Sequence, residues 1–372
     1  MGNANSLTIG IDARAAVEVP AGRGRVVREL LRSLAAREDE RYRYVLYARS
    51  AWAELPLDKR FSWHLIQARD PWWHALTARA ANRECDVFLS SNSYLTTLFM
   101  RIPAVPIIYD LVAFNPAMRP NRRSALIERA TLGATVRRSA ALIAISQATA
   151  DALAARHPRS ARRTTVALLG VAPEPVTELD PEEEATLPPS GFVLAVGTLE
   201  PRKNLPRLVD AYSRLPTALQ SQHPLVVVGA LGWDTGNTLL ALRSLGERCT
   251  MLGYVSDAAL AELYRRCAVF CYPSLGEGFG LPVLEAMAAG APVVISNLSS
   301  LPEVGGSAAE YVDPHDVTSI EDGLRRLLSD ETRRAQLSRE GLERARKFSW
   351  ESFAQRVLEV LQAAGAGHRR PH

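Results

Sequence analysis

The chain has 372 residues, enough for two domains, and 47% of them are hydrophobic against 23% charged, which leaves ample material for sizeable cores. Four cysteines (Cys85, Cys249, Cys267 and Cys271) form no CxxC pair and have no histidine cluster beside them, so the pattern reads as small buried thiols in a reducing compartment ahead of disulfides or zinc. Residues 1–180 carry 25 Lys/Arg against 17 Asp/Glu and the remainder 19 against 23, so a basic first half sits on a chain of net charge +4. Such a half can attract phosphates, nucleic acid or an anionic membrane surface, and it reads equally as a solvated helical face. No apolar run follows a basic start, and the uncharged apolar stretch 286–295 falls well short of the roughly 20 residues of a membrane span. A cytoplasmic protein is expected, with peripheral contact at the inner membrane face as its one membrane option.

In chain order, β-like runs at 7–11, 44–47, 87–90, 105–109 and 141–145 alternate with helical periodicity at 25–36, 72–83, 121–139 and 146–155. Pro173, Pro175, Pro181, Pro188 and Pro189 then punctuate an acidic stretch with Glu182, Glu183 and Glu184, which reads as a linker or variable surface segment. Alternation resumes with strands at 192–196, 225–228, 269–272 and 293–296 and helices at 205–214, 256–265, 281–289 and 319–329. Residues 350–362 form a last amphipathic helix before a polar end that reads as disordered. The expectation is α/β: two doubly wound, Rossmann-like domains, 1–175 and 190–348, facing a cleft, with 349–372 packing back on the first.

The densest chemistry lies in residues 274–290, where Gly276, Gly278 and Gly280 follow a strand and Pro282 stands in the first turn of a helix. Glycines let backbone approach a ligand closely, and free N–H groups at a helix start attract phosphate. Glu285 stands in the apolar run Leu281-Pro-Val-Leu-Glu-Ala-Met-Ala-Ala, where a carboxylate needs a partner such as a sugar or ribose hydroxyl pair. Earlier, Val196-Gly-Thr-Leu-Glu-Pro-Arg202-Lys203-Asn204 places two cations after a strand, where they can clamp a diphosphate or simply be solvated. The chain opens with Ile9-Gly-Ile-Asp12-Ala-Arg14 and then Gly22-Arg-Gly24, a strand entering a short glycine loop, and Tyr109-Asp110-Leu111 closes another strand. Asp110 reads either as a ligand contact or as a turn residue.

The spacing of Glu277 and Glu285, with seven residues between them, and Ala291-Pro-Val-Val and Ser299-Ser-Leu-Pro-Glu-Val-Gly305 after them, resembles the signature of family-four retaining glycosyltransferases of GT-B fold. The likeness extends to bacterial mannosyltransferases of surface-polysaccharide and O-antigen synthesis. It implies a nucleoside diphosphate sugar as donor, GDP-mannose first, then dTDP-rhamnose or a UDP-sugar, and a lipid-linked saccharide as acceptor. Through it Glu277 falls by the donor sugar, Glu285 on the ribose, and Arg202 and Lys203 on the diphosphate. Gly278, Phe279, Gly280 and Leu281 line the donor, and Val255, in Leu252-Gly-Tyr-Val255, meets the base. Gly22 and Gly24 resemble the family's N-terminal loop, with Arg23 and Val26 departing from it. Tyr109 stands where the subgroup usually has His, and Asp110 is kept; the hydroxyl of Tyr109 can donate near the reacting sugar. No Asp-x-Asp pair stands in a suitable loop, which fits chemistry without a metal, and no nucleic-acid partner is implied. Two other classes share this pattern, a nucleotide-sugar epimerase or hydrolase and a non-catalytic nucleotide-sugar binder.

Overall fold

The computed structural model describes residues 6–20, 22–54, 58–111, 114, 122–171, 179–233 and 235–366. They fall into two compact units. Among the described residues, the first takes those up to Phe114, 122–170 and 349–366, and the second is Val171–Phe348.

In the first unit, β1 (Leu7–Asp12), β2 (Tyr42–Ala48), β3 (Phe61–Leu65), β4 (Val87–Ser90), β5 (Ala104–Ile108), β6 (Leu142–Ala144) and β7 (Thr164–Val166) form one parallel sheet. Its order is β3-β2-β1-β4-β5-β6-β7. The central strands β4 and β5 are buried along their whole length, as a parallel sheet covered on both faces requires. The helix Arg23–Ala35 buries Val26, Val27, Leu30, Leu31 and Leu34, a 3.6-residue stripe. The helix Trp350–Ala366 returns to this unit and packs on the helix Arg23–Ala35 and on β4. There a Cβ on Gly365 would sit 2.9 Å from Leu7 Cδ1.

In the second unit, β8 (Val193–Val196), β9 (Leu225–Val228), β10 (Cys249–Gly253), β11 (Val269–Tyr272), β12 (Val293–Ser296) and β13 (Glu310–Val312) make a second parallel sheet. Its order is β10-β9-β8-β11-β12-β13. Both sheets repeat one rule: the first strand of the unit lies centrally and the chain then reverses direction of growth. The switch points are β1/β4 and β8/β11, where open α/β sheets bind ligands beyond their strand carboxyl ends.

The α/β class read from the sequence is what the structure shows, and the central strands match it to within a residue or two. The four strands β3, β7, β10 and β13 are additions, and all four are sheet edges. The linker reading of the acidic stretch is corrected in part. The turn of helix Pro181–Glu184 is capped by Asp180, whose carboxylate accepts from Glu182 N at 2.9 Å. Glu183 accepts from Ser256 N at 2.9 Å and Oγ at 2.7 Å, fixing this turn to the second unit. Pro173 and Pro175 lie outside the described residues, as does the polar end 367–372. All four cysteines are thiols.

Candidate functional site

In the second unit the β8 and β11 carboxyl ends carry the chemistry. Gly197, at φ +136°, ends β8, and Gly229, at φ +144°, ends β9. A Cβ on Gly229 would lie 2.2 Å from the Gly197 carbonyl oxygen, so the two loops meet at a distance that a side chain would forbid. The chain then makes the tight turn Pro201–Lys203. Buried Asn204, itself left-handed at φ +61°, pins this turn by donating from Nδ2 to the carbonyls of Pro273 (3.0 Å) and Pro314 (2.7 Å). From the other strand, Leu275 N donates to the Arg202 carbonyl at 2.9 Å. Of the three loop glycines, Gly280 takes the left-handed region, at φ +106°, and heads the helix Leu281–Ala288.

Glu277 is the centre of this arrangement, with its side chain 8% exposed. Arg202 donates to its Oε2, and Lys203 Nζ lies 2.9 Å from its Oε1. The Tyr272 hydroxyl donates to the same oxygen at 2.9 Å, and Ser274 Oγ lies 2.7 Å from it. Burial alone would push this carboxyl up; the charges of Arg202 and Lys203 and the hydrogen bonds from Lys203 and Ser274 outweigh it and hold the group at about 2. Burial, opposed by Glu277 and aided by Arg202, lowers the Lys203 ammonium. Burial and the neighbouring Glu277 push the Tyr272 phenol well up, so it remains a neutral donor. Arg202 is gripped from its other side by Glu200, which accepts from Nε at 3.0 Å and Nη2 at 2.6 Å, while Trp233 Nε1 donates to Glu200 at 3.2 Å.

The structure thus brings Arg202, Lys203 and Glu277 into one contact group and adds Glu200, Tyr272, Ser274 and Trp233. Glu285 lies on the following helix, half-buried, where Tyr264 donates to its Oε2 at 3.3 Å. A phenol is thus one of its partners in the protein. Phe279 has a packing role in this loop. Its ring is buried edge-on to Phe348 with centroids 6.0 Å apart, and its carbonyl accepts from Ser300 Oγ at 2.8 Å. Gly278 is buried in the same loop, and Leu281 and Val255, the latter just past β10, are half-buried.

In the first unit, β1 ends at Asp12, which is wholly buried with Arg14. Arg14 Nε lies 3.4 Å from Asp12, its Nη1 3.1 Å from Asp70, and its guanidinium 3.7 Å above the Trp73 ring. Burial raises the Asp12 carboxyl in spite of Arg14. His74, bonded through Nδ1 to Thr96 Oγ1 at 2.8 Å, is held at about 4 by burial and by Arg14. Gly24 also has a packing cause: a Cβ there would stand 1.8 Å from the Val19 carbonyl oxygen and 2.7 Å from that of Ala15, so only glycine lets this helix meet the preceding turn. Gly22, at φ +54°, is exposed beside it. The expectation for Tyr109 is corrected as well. Its hydroxyl is buried and donates inward to the Ser91 carbonyl at 2.8 Å, its ring lies 5.4 Å from the Arg23 guanidinium, and burial pushes its phenol up. Asp110 follows β5, half-buried.

Two parallel sheets with this strand order make the GT-B fold. Structures of that fold agree: a sucrose-phosphate synthase from Thermosynechococcus elongatus superposes with a TM-score of 0.76 at 20% identity, covering 97% of this chain and 100% of that one. WaaG, a glycosyltransferase involved in lipopolysaccharide biosynthesis, gives 0.71 at 17% identity over 95% and 99%. Residues 177–344 match the family model described as Glycosyl transferases group 1. Over 175 residues, 46% of this chain, it is 42% identical to the O-antigen chain mannosyltransferase B of Escherichia coli. That stretch is 46% of the relative, so the chain spans about half the length of the curated relative it matches.

Proposed function

We propose that this chain is a retaining glycosyltransferase that moves mannose from GDP-mannose to a hydroxyl of a lipid-linked saccharide in surface-polysaccharide synthesis. The observation that carries the reading is the meeting of Arg202, Lys203 and Glu277 at the switch point of the second sheet. The likeness to an O-antigen chain mannosyltransferase supports mannose. The hard step is departure of the diphosphate. Arg202 and Lys203 would take its two phosphates in place of Glu277 and stabilise the negative charge that grows on them. No metal is then needed for that task. Glu277, held ionised, would be released to accept hydrogen bonds from sugar hydroxyls, and Glu285 would accept from the ribose. Gly278, Gly280 and Leu281 would supply backbone to the phosphates, and Val255 would border the base. Asp110 would touch the donor sugar or the acceptor hydroxyl, and the loop of Gly22 and Gly24 would face the donor's phosphates.

Incubation with labelled GDP-mannose and a lipid-linked saccharide tests the reading. The expected product is a labelled glycolipid whose new linkage keeps the α configuration of the donor. Release of free mannose alone, or an inverted linkage, would sink it. Faster labelling from dTDP-rhamnose or a UDP-sugar would move the donor assignment and leave the transferase.

A further inference from the structure

We infer that one face of the helix Trp72–Glu84, with the neighbouring Phe99 and Arg101, is the surface by which this chain docks on an anionic lipid bilayer; this deepens, and rests on, the lipid-linked acceptor proposed above. The helix turns Trp73, His74, Thr77, Ala78 and Ala81 into the first unit. Its opposite face presents Trp72, 71% exposed, Leu76, 43% exposed, and exposed Arg79, at spacings of four and three residues that stack them in one row. Asn82 on the same helix extends the row. Its Nδ2 donates to the Phe99 carbonyl at 3.2 Å and its Oδ1 accepts from Arg101 N at 2.7 Å. That pair of bonds holds Phe99, 47% exposed, and exposed Arg101 beside the helix end.

Single exposed hydrophobics are ordinary, but a tryptophan, a leucine and a phenylalanine grouped this way mark an interaction surface. Its charge selects the occupant. Neither Arg79 nor Arg101 has a carboxylate partner among the described residues. The acidic residue at the helix end, Glu84, is engaged by the Tyr47 hydroxyl at 2.6 Å and His64 Nδ1 at 2.8 Å. A second copy seated on this face by two-fold symmetry would bring like arginines together, whereas lipid phosphates would pair with them. Tryptophan with its apolar body and N–H suits the headgroup boundary, and arginine stems reach from apolar contact to phosphate. Among the described residues no helix is long and apolar enough to cross a membrane, so the contact is peripheral.

The test is co-sedimentation of the full chain with vesicles of phosphatidylcholine alone or with phosphatidylglycerol, for the wild type, Trp72→Ala/Leu76→Ala, Arg79→Gln/Arg101→Gln, and Leu240→Ala as a control at a still more exposed leucine of the second unit. The wild type and L240A should bind the anionic vesicles and not the neutral ones. Each double variant should lose roughly tenfold or more, since one basic residue near such a surface is worth on the order of fivefold. Wild-type binding that both double variants retain overturns the docking face and leaves the transferase reading standing. No binding to either vesicle overturns the face too, while a thermal shift with GDP-mannose judges the donor site independently. Concentration-dependent dimers that the Trp72/Leu76 variant abolishes would assign the face to a second copy and overturn the lipid.

Discussion

The two units place charge at the same topological point and treat it in opposite ways. At the β1/β4 switch point, Asp12 and Arg14 are 0% and 3% exposed, roofed by Trp73 and tied to Asp70. At the β8/β11 switch point, Arg202 is 17% exposed, Lys203 10% and Glu277 8%, beneath a glycine loop and beside a helix start. A sealed ion pair has all its partners in the protein and has no room for a ligand's charge. The second cluster keeps two cations on one carboxylate within reach of solvent, which is the condition for an incoming diphosphate to compete for them. What sets the second cluster apart from the first is access and the presence of two cations, since both clusters hold buried charge at an equivalent sheet edge.

Four substitutions can break or sharpen this contrast. The largest effect is expected for Arg202→Ala/Lys203→Ala, which removes both charges facing the proposed diphosphate. Its kcat/KM for mannosyl transfer should fall on the order of a thousandfold or more, because losing one preorganised donor already costs about a hundredfold. A loss under tenfold would remove the pair from the mechanism. Arg14→Met acts on the sealed pair and should show as stability, with about 3–5 kcal/mol lost because Asp12 is left buried without its partner. Denaturant unfolding measures this, and the folded fraction should keep its turnover; normal stability with lost turnover would make the first switch point a working site.

Glu277→Gln comes next and carries a pH signature. The carboxyl is held at about 2, below its ordinary 4.5, so its stabilising contribution is full above 4.5 and disappears as the pH falls through about 2. The stability gap between wild type and E277Q should therefore be on the order of 3 kcal/mol at pH 7 and narrow below pH 4.5. A gap that is constant with pH would contradict the ionised, doubly paired Glu277. The smallest effect belongs to Tyr272→Phe. It deletes a hydroxyl shared by Lys203 and Glu277, and about 1 kcal/mol of donor affinity, read by titration calorimetry, should go with it.

The central strands are legible in the sequence because burial on both faces writes them as unbroken apolar runs, as in Val-Phe-Cys-Tyr of β11 and Leu-Val-Val-Val of β9. The four edge strands are illegible for the same reason. β10 exposes Thr250 and Met251, and β7 is half-exposed over three residues, so no run marks them. Within the candidate site, Arg202, Lys203 and Glu277 stand out through their glycines and their place after strands. Tyr272 hides because it ends an apolar run and reads as core. Trp233 hides because its link to Arg202 passes through Glu200 across 33 residues of chain. Tyr109 looks like a cleft donor in sequence, and only the fold shows its hydroxyl spent on Ser91. Gly24 reads as part of a glycine loop, and only the fold adds its packing cause, the Val19 carbonyl against it.

The central claim is that Arg202 and Lys203 hold the donor's diphosphate, and titration of GDP-mannose into the wild type and Arg202→Ala/Lys203→Ala tests it most directly. The account predicts saturable binding to the wild type and at least a hundredfold weaker binding to the variant, with mannose-1-phosphate, which lacks the diphosphate, binding feebly to both. Equal GDP-mannose affinity in the two proteins, with the variant folded, would contradict it.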